Sequence, residues 1–441
     1  MSLRDPWGRL SNPVHRRSLA TAAAVAAIGL SLALLHIANH PALSPLDEAT
    51  HFDSVVQESG GHLVARGDDM GEAALHGIAC RGIDSPGYVP PPCVPEGVPV
   101  DFHESRFNTS YMHPPVYYVA TGLGARALHA IGPSLLVASR IVNGVWFALG
   151  LVLMYVLMGE VGLAGVVRAC AALLPALVPF VVFQSATVTN DVTAIPTAAF
   201  VLLAGLRYER RAWPAWPVAV LSALAVSLRV TNFFGLGIAV GYLAVRGVTA
   251  SDHADRRRLW RTAAAAAGAC AVAGIAWIVV VAARAHVAAS ALPLANLIPK
   301  KFTVRQMFES VAPMVPPTQS LPDVGFWTSH SYTTLLAASV GWLVVAGPFI
   351  ACMRGSRDRL GVALGASAGL VLLLVGPALA IINAISDDSF LGFPFPARMG
   401  FSVLPACLAA AATGIRGRWP ARLLTIYVAV GLLGVLAIVG G

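Results

Sequence analysis

The stretch SLATAAAVAAIGLSLALLHIANHPALSPLDEATHFD (residues 18–53) joins a long apolar run to a dense group of ionisable side chains. Residues 18–38 contain no Asp, Glu, Lys or Arg and are long enough to cross about 30 Å of hydrocarbon as a helix. Four ionisable residues follow between positions 47 and 53, just after prolines that end the helix. The stretch therefore predicts a retained membrane anchor that opens into either a hydrated loop or a reactive site.

The composition is that of a membrane protein. Of 441 residues, 56% are hydrophobic and 12% are charged, and the mean hydropathy is +0.70. A soluble globular chain needs more polar surface than this, so a soluble protein is excluded. The net charge of +8 comes largely from arginines grouped between apolar runs. That pattern is typical of cytoplasmic loops, and we expect no nucleic-acid partner.

Apolar runs long enough to cross a bilayer recur along the whole chain. We predict an all-α polytopic protein with about eleven membrane-spanning helices. The predicted spans are residues 18–38, 136–158, 166–185, 191–206, 214–229, 231–246, 262–284, 332–352, 360–385, 399–415 and 420–440. The basic N-terminal segment 1–17 is then cytoplasmic, and a single membrane domain covers 18–441. Two long external loops result, at 39–135 and 285–331.

The prediction for segment 116–131 determines which loops face outside. Because Arg126 and His129 lie within this run, we expect an amphipathic helix at the membrane interface and not a span. Every arginine-rich loop then falls on the cytoplasmic side. Most of the remaining acidic side chains, and several arginines at the ends of spans, fall on the external side. The parity of the spans thus predicts that distant ionisable residues share one face.

Two of the six cysteines, Cys80 and Cys93, lie in the polar loop 39–135, whereas the other four lie in apolar runs. A buried thiol in an apolar run behaves as a small hydrophobic group. In an oxidising compartment outside the cytoplasm, the two loop cysteines would form a disulfide. The alternative is a pair of free loop thiols.

Six segments of the chain occur in a characteristic order: PLDEATHF (45–52), HPPVYYVATGL (113–123), ASRIVNGVWFALGLVL (138–153), TVTNDVTAI (187–195), LPDVGFWTSHSY (321–332) and PARMGFSVLPA (396–406). In this order they resemble the GT-C superfamily of integral membrane glycosyltransferases, most closely a bacterial branch of it. The resemblance covers roughly residues 18–410. One segment departs from the pattern, because the last commonly reads Gly-Arg-Tyr and here reads Ala397-Arg398-Met399.

The resemblance implies a function and its partners. Proteins of this superfamily transfer a sugar from a polyprenyl-phosphate carrier to an acceptor outside the cytoplasm. We accordingly expect a GT-C-like bundle in a bacterial cytoplasmic membrane, acting as an inverting glycosyltransferase. Its partners would be a polyprenyl-phosphate-linked sugar donor, membrane lipid, and an envelope glycan, glycolipid or protein as acceptor. No cofactor is required, although a divalent cation such as Mg²⁺ or Mn²⁺ is compatible with the class.

Candidate residues follow from what such a transfer needs. The attacking hydroxyl needs a carboxylate base, for which Asp47 and Glu48 are candidates, and the same pair would be the ligands of any metal ion. The leaving phosphate needs cationic or hydrogen-bonding groups. The candidate substrate-binding residues are His51, His113, Tyr117, Arg140, Asn190, Asp191, Arg229 and Arg398. Structural alternatives stay open, namely helix capping for the acids and snorkelling for the arginines.

Two other classes of function also stay open. A lipid-linked-sugar transporter or flippase would place polar groups at mid-bilayer depth and use discontinuous helices. A catalytically inactive assembly protein would keep the fold, and the missing tyrosine after Arg398 is compatible with that. The sequence contains no evident nucleotide-binding loop, zinc-ligand pair or Ser/His/Asp spacing.

Overall fold

The structure is a computed structural model that describes residues 13–95, 97–101, 107–288, 331–354, 358–387 and 397–440. Within these ranges all regular structure is helical, and two isolated bridges are the only β contacts. The α-helices are α1 (Pro13–Asn39), α2 (Glu48–Ser59), α3 (Glu72–Arg81), α4 (Val116–His129), α5 (Leu135–Glu160), α6 (Gly165–Leu173), α7 (Pro179–Ala186), α8 (Ala194–Glu209), α9 (Trp216–Leu228), α10 (Phe233–Val248), α11 (His253–Ala283), α12 (Ser331–Cys352), α13 (Arg359–Asp387), α14 (Leu404–Ala412) and α15 (Arg418–Val439). Most of the loop predicted at 285–331, including residues 321–330 of one motif, lies outside the described residues.

Seven helical segments of the described chain are long and apolar enough to cross a membrane. Five are α1, α5, α11, α12 and α15, and the other two are α8 and α10 taken with the 3-10 turns that precede them, as Asn190–Glu209 and Val230–Val248. Helices α6 and α7 pass the same test together but bend by 75°, which gives eight spans if they form one broken span. Pro179 begins α7 directly after the bend and cannot continue the preceding helix. The predicted count of about eleven spans is therefore not confirmed. Helices α9, α14 and residues 359–374 of α13 are apolar but shorter.

Helix α8 occupies the centre of the bundle, and α11 lies at its periphery. In α8, 83% of the apolar window is buried, against 6% in α11. Val272, Ile275 and Ile278 of α11 are more than half exposed. A soluble monomer does not leave a contiguous apolar surface of this kind in water. The packing thus agrees with the composition in indicating a membrane protein.

The predicted interfacial segment 116–131 forms α4, whose 14 residues are too few to span a bilayer. Helix α4 packs against α2 and α5. Gly122 makes the contact with α2 close, because a Cβ at this position would lie 2.6 Å from the carbonyl oxygen of Val55. Helix α4 therefore fixes α2 against one end of the bundle.

The opposite end of the bundle carries a group of ion pairs. Arg207 and Arg210 pair with Glu160, Arg211 and Arg258 pair with Asp255, and Arg246 pairs with Glu209. These pairs join the ends of α5, α8, α10 and α11 that lie far from α2. Five arginines in or beside loops that the sequence assigns to one side are thus paired with acidic residues at one end of the fold.

Candidate active site

Asp47 stands directly before α2 with its carboxylate beside Arg398. Its backbone is left-handed, with φ of 63° and ψ of 12°, a conformation that is unfavourable for residues other than glycine. The side chain remains 54% exposed, and Oδ2 lies 2.9 Å from Nη2 of Arg398. The strained turn thus holds an accessible carboxylate against a guanidinium group.

Asp191 lies deeper, between two arginines. It is 3% exposed, its Oδ2 lies 3.5 Å from Nε of Arg398, and its Oδ1 pairs with Nη2 of Arg229. Thr189 accepts a hydrogen bond from the Asp191 N–H and donates its hydroxyl to Oδ2 at 3.2 Å. Asp47, Arg398, Asp191 and Arg229 therefore form a chain of alternating charge, here named the charge cluster. Its first two members are 351 positions apart in the sequence.

Two irregular segments bring the arginines of the charge cluster together. Arg229 is extended, with φ of −163°, between α9 and the 3-10 turn Val230–Asn232. Its Nη1 donates to the carbonyl oxygen of Arg398 at 3.4 Å. Gly235 lets α10 approach the 3-10 turn Ala397–Val403, because a Cβ at 235 would lie 2.7 Å from the carbonyl oxygen of Ser402. The close approach of α10 therefore positions Arg398.

Several buried polar atoms on the segments of the charge cluster have no hydrogen-bond partner within the described residues. They are Nε of Arg229, Nη1 of Arg398, Nδ2 of Asn190, Oγ1 of Thr231 and Oδ1 of Asn232. Buried polar groups in native proteins are nearly always satisfied, so these atoms indicate a place for a polar ligand or water. Three of them are N–H donors, which match a ligand rich in acceptor oxygens.

His51 and His113 lie beside the charge cluster as neutral imidazoles. Nδ1 of His51 lies 2.7 Å from the hydroxyl of Tyr118, and the His51 ring stacks on His113 with centroids 5.4 Å apart. Burial lowers the pKa of each imidazole to about 3, and the nearby Arg229 guanidinium adds to this effect. Both rings are therefore uncharged at neutral pH. They can donate and accept hydrogen bonds but cannot serve as cations for a phosphate.

Glu48 and Arg140 form a separate ion pair that is fully occupied. Glu48 is 0% exposed and accepts four hydrogen bonds. The donors are Nε and Nη2 of Arg140 at 2.8 Å, the Ser44 N–H at 2.7 Å and the Val188 N–H at 2.8 Å. Arg140 also donates to the carbonyl oxygens of His40 and Ala42. The predicted roles of Glu48 as base or metal ligand and of Arg140 as substrate ligand do not match this geometry, because each charge is already buried against the other.

Tyr117 also lies inside the fold and not in a cleft. It is 0% exposed, and its hydroxyl donates to Oδ1 of Asn143 at 2.7 Å. Asn143 in turn donates to the carbonyl oxygens of Thr187 and Thr189. The predicted contact of Tyr117 with an acceptor does not match this position. Tyr117 instead braces the turn that carries Asp191.

Sequence reasoning missed the residues that support the charge cluster. Tyr118 binds His51, and Asn143 holds the turn before Asp191, as described above. Asn108 donates to Oδ2 of Asp53 at 2.7 Å and so ties a distant loop to α2. Asn143 carried a usable signal, since it follows Arg140 by three positions and therefore shares its helix face. Asn108 lies in a loop whose sequence has no periodicity.

Seven of the ten sequence-based candidate residues lie together at one end of the bundle, and the other three are buried behind them. Those gathered at one end of the bundle are Asp47, His51, His113, Asn190, Asp191, Arg229 and Arg398, and those behind them are Glu48, Arg140 and Tyr117. Cys80 and Cys93 form a disulfide that links α3 to the proline-rich segment 85–99.

No family model matches the chain, and no curated protein matches it. A function for the chain therefore has to be inferred from its own residues.

Glu58 on α2 occupies a buried position that makes stability depend on pH. It is 5% exposed, and neither carboxyl oxygen has a hydrogen-bond partner of good geometry. Burial raises the pKa of Glu58 to about 8, although the Val64 N–H and the Arg284 guanidinium act to lower it. Between its ordinary pKa of 4.5 and about 8, the folded state binds more protons than the unfolded state. Stability therefore falls as pH rises through this window.

Glu58→Gln should remove this pH dependence. Relative to the variant, the wild type should lose about 2 kcal/mol of unfolding free energy between about pH 6 and about pH 7.5, since one pKa unit corresponds to about 1.4 kcal/mol. Unfolding of the detergent-solubilised proteins at the two pH values measures the difference. Glu72→Gln, at an exposed position of α3, should follow the wild type. An identical pH response in Glu58→Gln and wild type would show that Glu58 is not a neutral buried acid.

Proposed function

We propose that the chain is a GT-C-type, inverting glycosyltransferase that uses a polyprenyl-phosphate-linked sugar at the external face of a bacterial cytoplasmic membrane. One observation carries the proposal: Arg398 has an unpartnered Nη1 beside the exposed carboxylate of Asp47. Sugar transfer from a phosphate needs a cation for the departing phosphate and a base for the incoming hydroxyl. The acceptor is an envelope glycan, glycolipid or protein.

The position of the charge cluster suits a lipid-linked donor. Asp191 precedes α8, Arg229 follows α9 and Arg398 precedes α14, so the charges lie where apolar helices end. A polyprenyl phosphate matches this arrangement, because its phosphate lies at the membrane surface and its polyprenyl chain lies in the hydrocarbon. The N–H groups of Arg398 and Asn190 that lack partners would then bind phosphate oxygens, for which a guanidinium fork is well suited.

In the proposed reaction, Asp47 accepts the proton of the acceptor hydroxyl as that oxygen attacks C1 of the sugar. The bond between C1 and the phosphate oxygen breaks, and the phosphate leaves with the electron pair. Arg398 connects the two events. The donor phosphate competes with Asp47 for Arg398, so donor binding frees the carboxylate to act as a base. Asp191 and Arg229 keep Arg398 in place during this exchange.

A divalent cation does not fit the charge cluster. A hard cation needs several carboxylate or carbonyl oxygens that converge on one point. Asp47 and Asp191 each face an arginine instead, and the oxygens of Glu48 are all occupied. Among the described residues, the three-residue group whose ligand atoms lie within 4.8 Å of one another is His76, Cys80 and Cys93, and two of these form the disulfide. The proposed step therefore uses only side chains.

A lipid-linked-sugar flippase is a second candidate, and one observation favours it. Helices α6 and α7 bend by 75°, and transporters commonly use discontinuous helices of this kind. In transporters such breaks usually occur in pairs from two related halves. Within the described ranges, the α6–α7 pair is the one bent pair of its kind. A catalytically inactive assembly protein, in which the charge cluster only stabilises the fold, is a third candidate.

Transfer of a radiolabelled sugar separates these candidates. Membranes that contain wild type, Asp47→Asn or Asp69→Asn receive polyprenyl-phosphate hexoses and pentoses labelled in the sugar, together with envelope extract. We expect label in the acceptor fraction with wild type and with Asp69→Asn, which alters an exposed loop acid. Asp47→Asn should reduce the rate by about 10²-fold, as removal of a general base does. Movement of intact donor across the membrane would favour the flippase, and no transfer from any donor would favour the assembly protein.

A further inference from the structure

Two histidines from distant parts of the chain approach one carboxylate. Nε2 of His62 lies 3.2 Å from Oδ2 of Asp68, and Nε2 of His286 lies 3.6 Å from Oδ1 of the same residue. His62 and Asp68 belong to the long loop between α1 and α5, whereas His286 follows α11. None of the three belongs to the charge cluster. They form a group of potential metal ligands that the proposed sugar transfer does not use.

Backbone contacts hold these two segments together. The His286 N–H donates to the carbonyl oxygen of Arg66 at 2.9 Å, and Nη2 of Arg284 donates to that of Leu63 at 2.6 Å. Gly67 has φ of 103°, and a Cβ there would lie 3.0 Å from the side chain of Val287. The Ala65 N–H donates to Oδ2 of Asp68 at 2.8 Å and orients the carboxylate. The ligands are therefore presented by a defined contact between two segments.

We propose that His62, Asp68 and His286 bind a divalent transition-metal ion of the zinc class. Two imidazoles and one carboxylate are a ligand set that such ions prefer. With metal–ligand bonds of about 2.1 Å, neighbouring ligand atoms of a tetrahedral site lie about 3.4 Å apart. Each imidazole nitrogen lies near that distance from a different oxygen of Asp68, His62 at 3.2 Å from Oδ2 and His286 at 3.6 Å from Oδ1, so one imidazole has to move toward the oxygen that binds the ion. The fourth position is taken by water.

The surroundings permit the small movement that binding requires. The three ligand atoms do not all lie within 4.8 Å of one another, so at least one imidazole has to turn toward the other. The side chains of His62 and His286 are 59% and 65% exposed, so rotation meets little packing. The guanidinium group of Arg66 lies over the ring of Tyr111 and that of Arg284 is bonded to Leu63. Both cations of these segments are thus directed elsewhere.

Metal binding would join the first long loop to the end of α11. Without the ion, the two histidines reach Asp68 only by solvent-exposed contacts, which contribute little to stability. With the ion bound to the folded state, the contact is stabilised in proportion to occupancy. The site would therefore add a metal-dependent link to the hydrogen bonds that already join the two segments.

Zinc titration of the purified, full-length protein in detergent tests the proposal under non-reducing conditions, which keep Cys80 and Cys93 in their disulfide. After chelator treatment, calorimetry should detect one zinc site in wild type and in His129→Ala, an exposed histidine elsewhere. His62→Ala and His286→Ala should each weaken binding by at least about 10-fold, and the double variant should abolish it. Cobalt, followed by its visible absorbance, should report a tetrahedral site in wild type that the double variant lacks.

Thermal unfolding provides a second measurement. Zinc should raise the unfolding midpoint of wild type and of His129→Ala but leave that of the His62→Ala/His286→Ala double variant unchanged. In chelator, all these proteins should unfold at similar temperatures, because the substituted histidines are exposed. Zinc binding by the double variant with the stoichiometry and affinity of wild type would overturn the proposal.

Discussion

Arg140→Met is expected to lower the free energy of unfolding by about 3–5 kcal/mol, the usual cost of leaving a buried charge without its partner. Glu48 would lose two of its four donors while remaining 0% exposed. The same pair connects α5 to the first residue of α2, and Glu48 also binds the Val188 N–H. Reversible unfolding in mixed detergent micelles measures the effect. Arg257→Met, at an exposed position, should change stability by less than about 0.5 kcal/mol.

A double-mutant cycle identifies the source of that loss. Glu48→Gln combined with Arg140→Met should cost less than the sum of the single changes, since each single change leaves the other partner buried and unpaired. Additive costs would mean that the two side chains do not stabilise each other. If Arg140 bound the donor phosphate instead, Arg140→Met would be as stable as Arg257→Met and would lose only donor affinity.

Arg398→Met is expected to reduce kcat/KM for sugar transfer by about 10³-fold, near the upper range for removal of a group that stabilises developing charge. Arg398 contacts both Asp47 and Asp191 and supplies the N–H group assigned to the phosphate. Its loss would remove the phosphate cation and also the group that orients Asp47. Initial rates at several donor concentrations, measured in the radiolabel assay, provide the value.

Two further variants make the Arg398 result specific. Arg398→Lys keeps the charge but not the planar fork, so its activity should fall between those of wild type and Arg398→Met. Arg126→Met alters an arginine that binds Ser59 and Val56 outside the charge cluster, and it should retain wild-type activity. Wild-type kcat/KM in Arg398→Met would exclude Arg398 from the reaction and would leave the charge cluster with a structural role.

The sequence predicted the buried apolar helices better than it predicted the surroundings of single charged residues. Apolar runs predicted the helices, because hydrocarbon excludes polar side chains over a whole span. The run 166–185 could not show its bend, since a broken and a continuous apolar helix have the same composition. Parity of the spans predicted that Asp47, Asp191, Arg229 and Arg398 share one end, and the structure brings these four into direct contact.

Adjacent residues of the same type were the hardest to assign to different environments from the sequence. Asp47 and Glu48 follow each other, yet the first is 54% exposed and the second 0% exposed. The left-handed turn at Asp47 sends the two carboxylates in different directions, and no periodicity predicts such a turn. Tyr117 and Tyr118 divide similarly, since one binds Asn143 and the other His51.

The separation of 351 positions between Asp47 and Arg398 has a consequence for biosynthesis. At a synthesis rate of about 5–20 residues per second, Arg398 emerges from the ribosome roughly 20–70 s after Asp47. Throughout that interval the nascent chain carries Asp47 without Arg398, and Asp191, once it has been synthesised, lacks the same guanidinium partner. A chain interrupted after residue 283 and before residue 398 would thus contain α1 to α11 and still lack one member of the charge cluster.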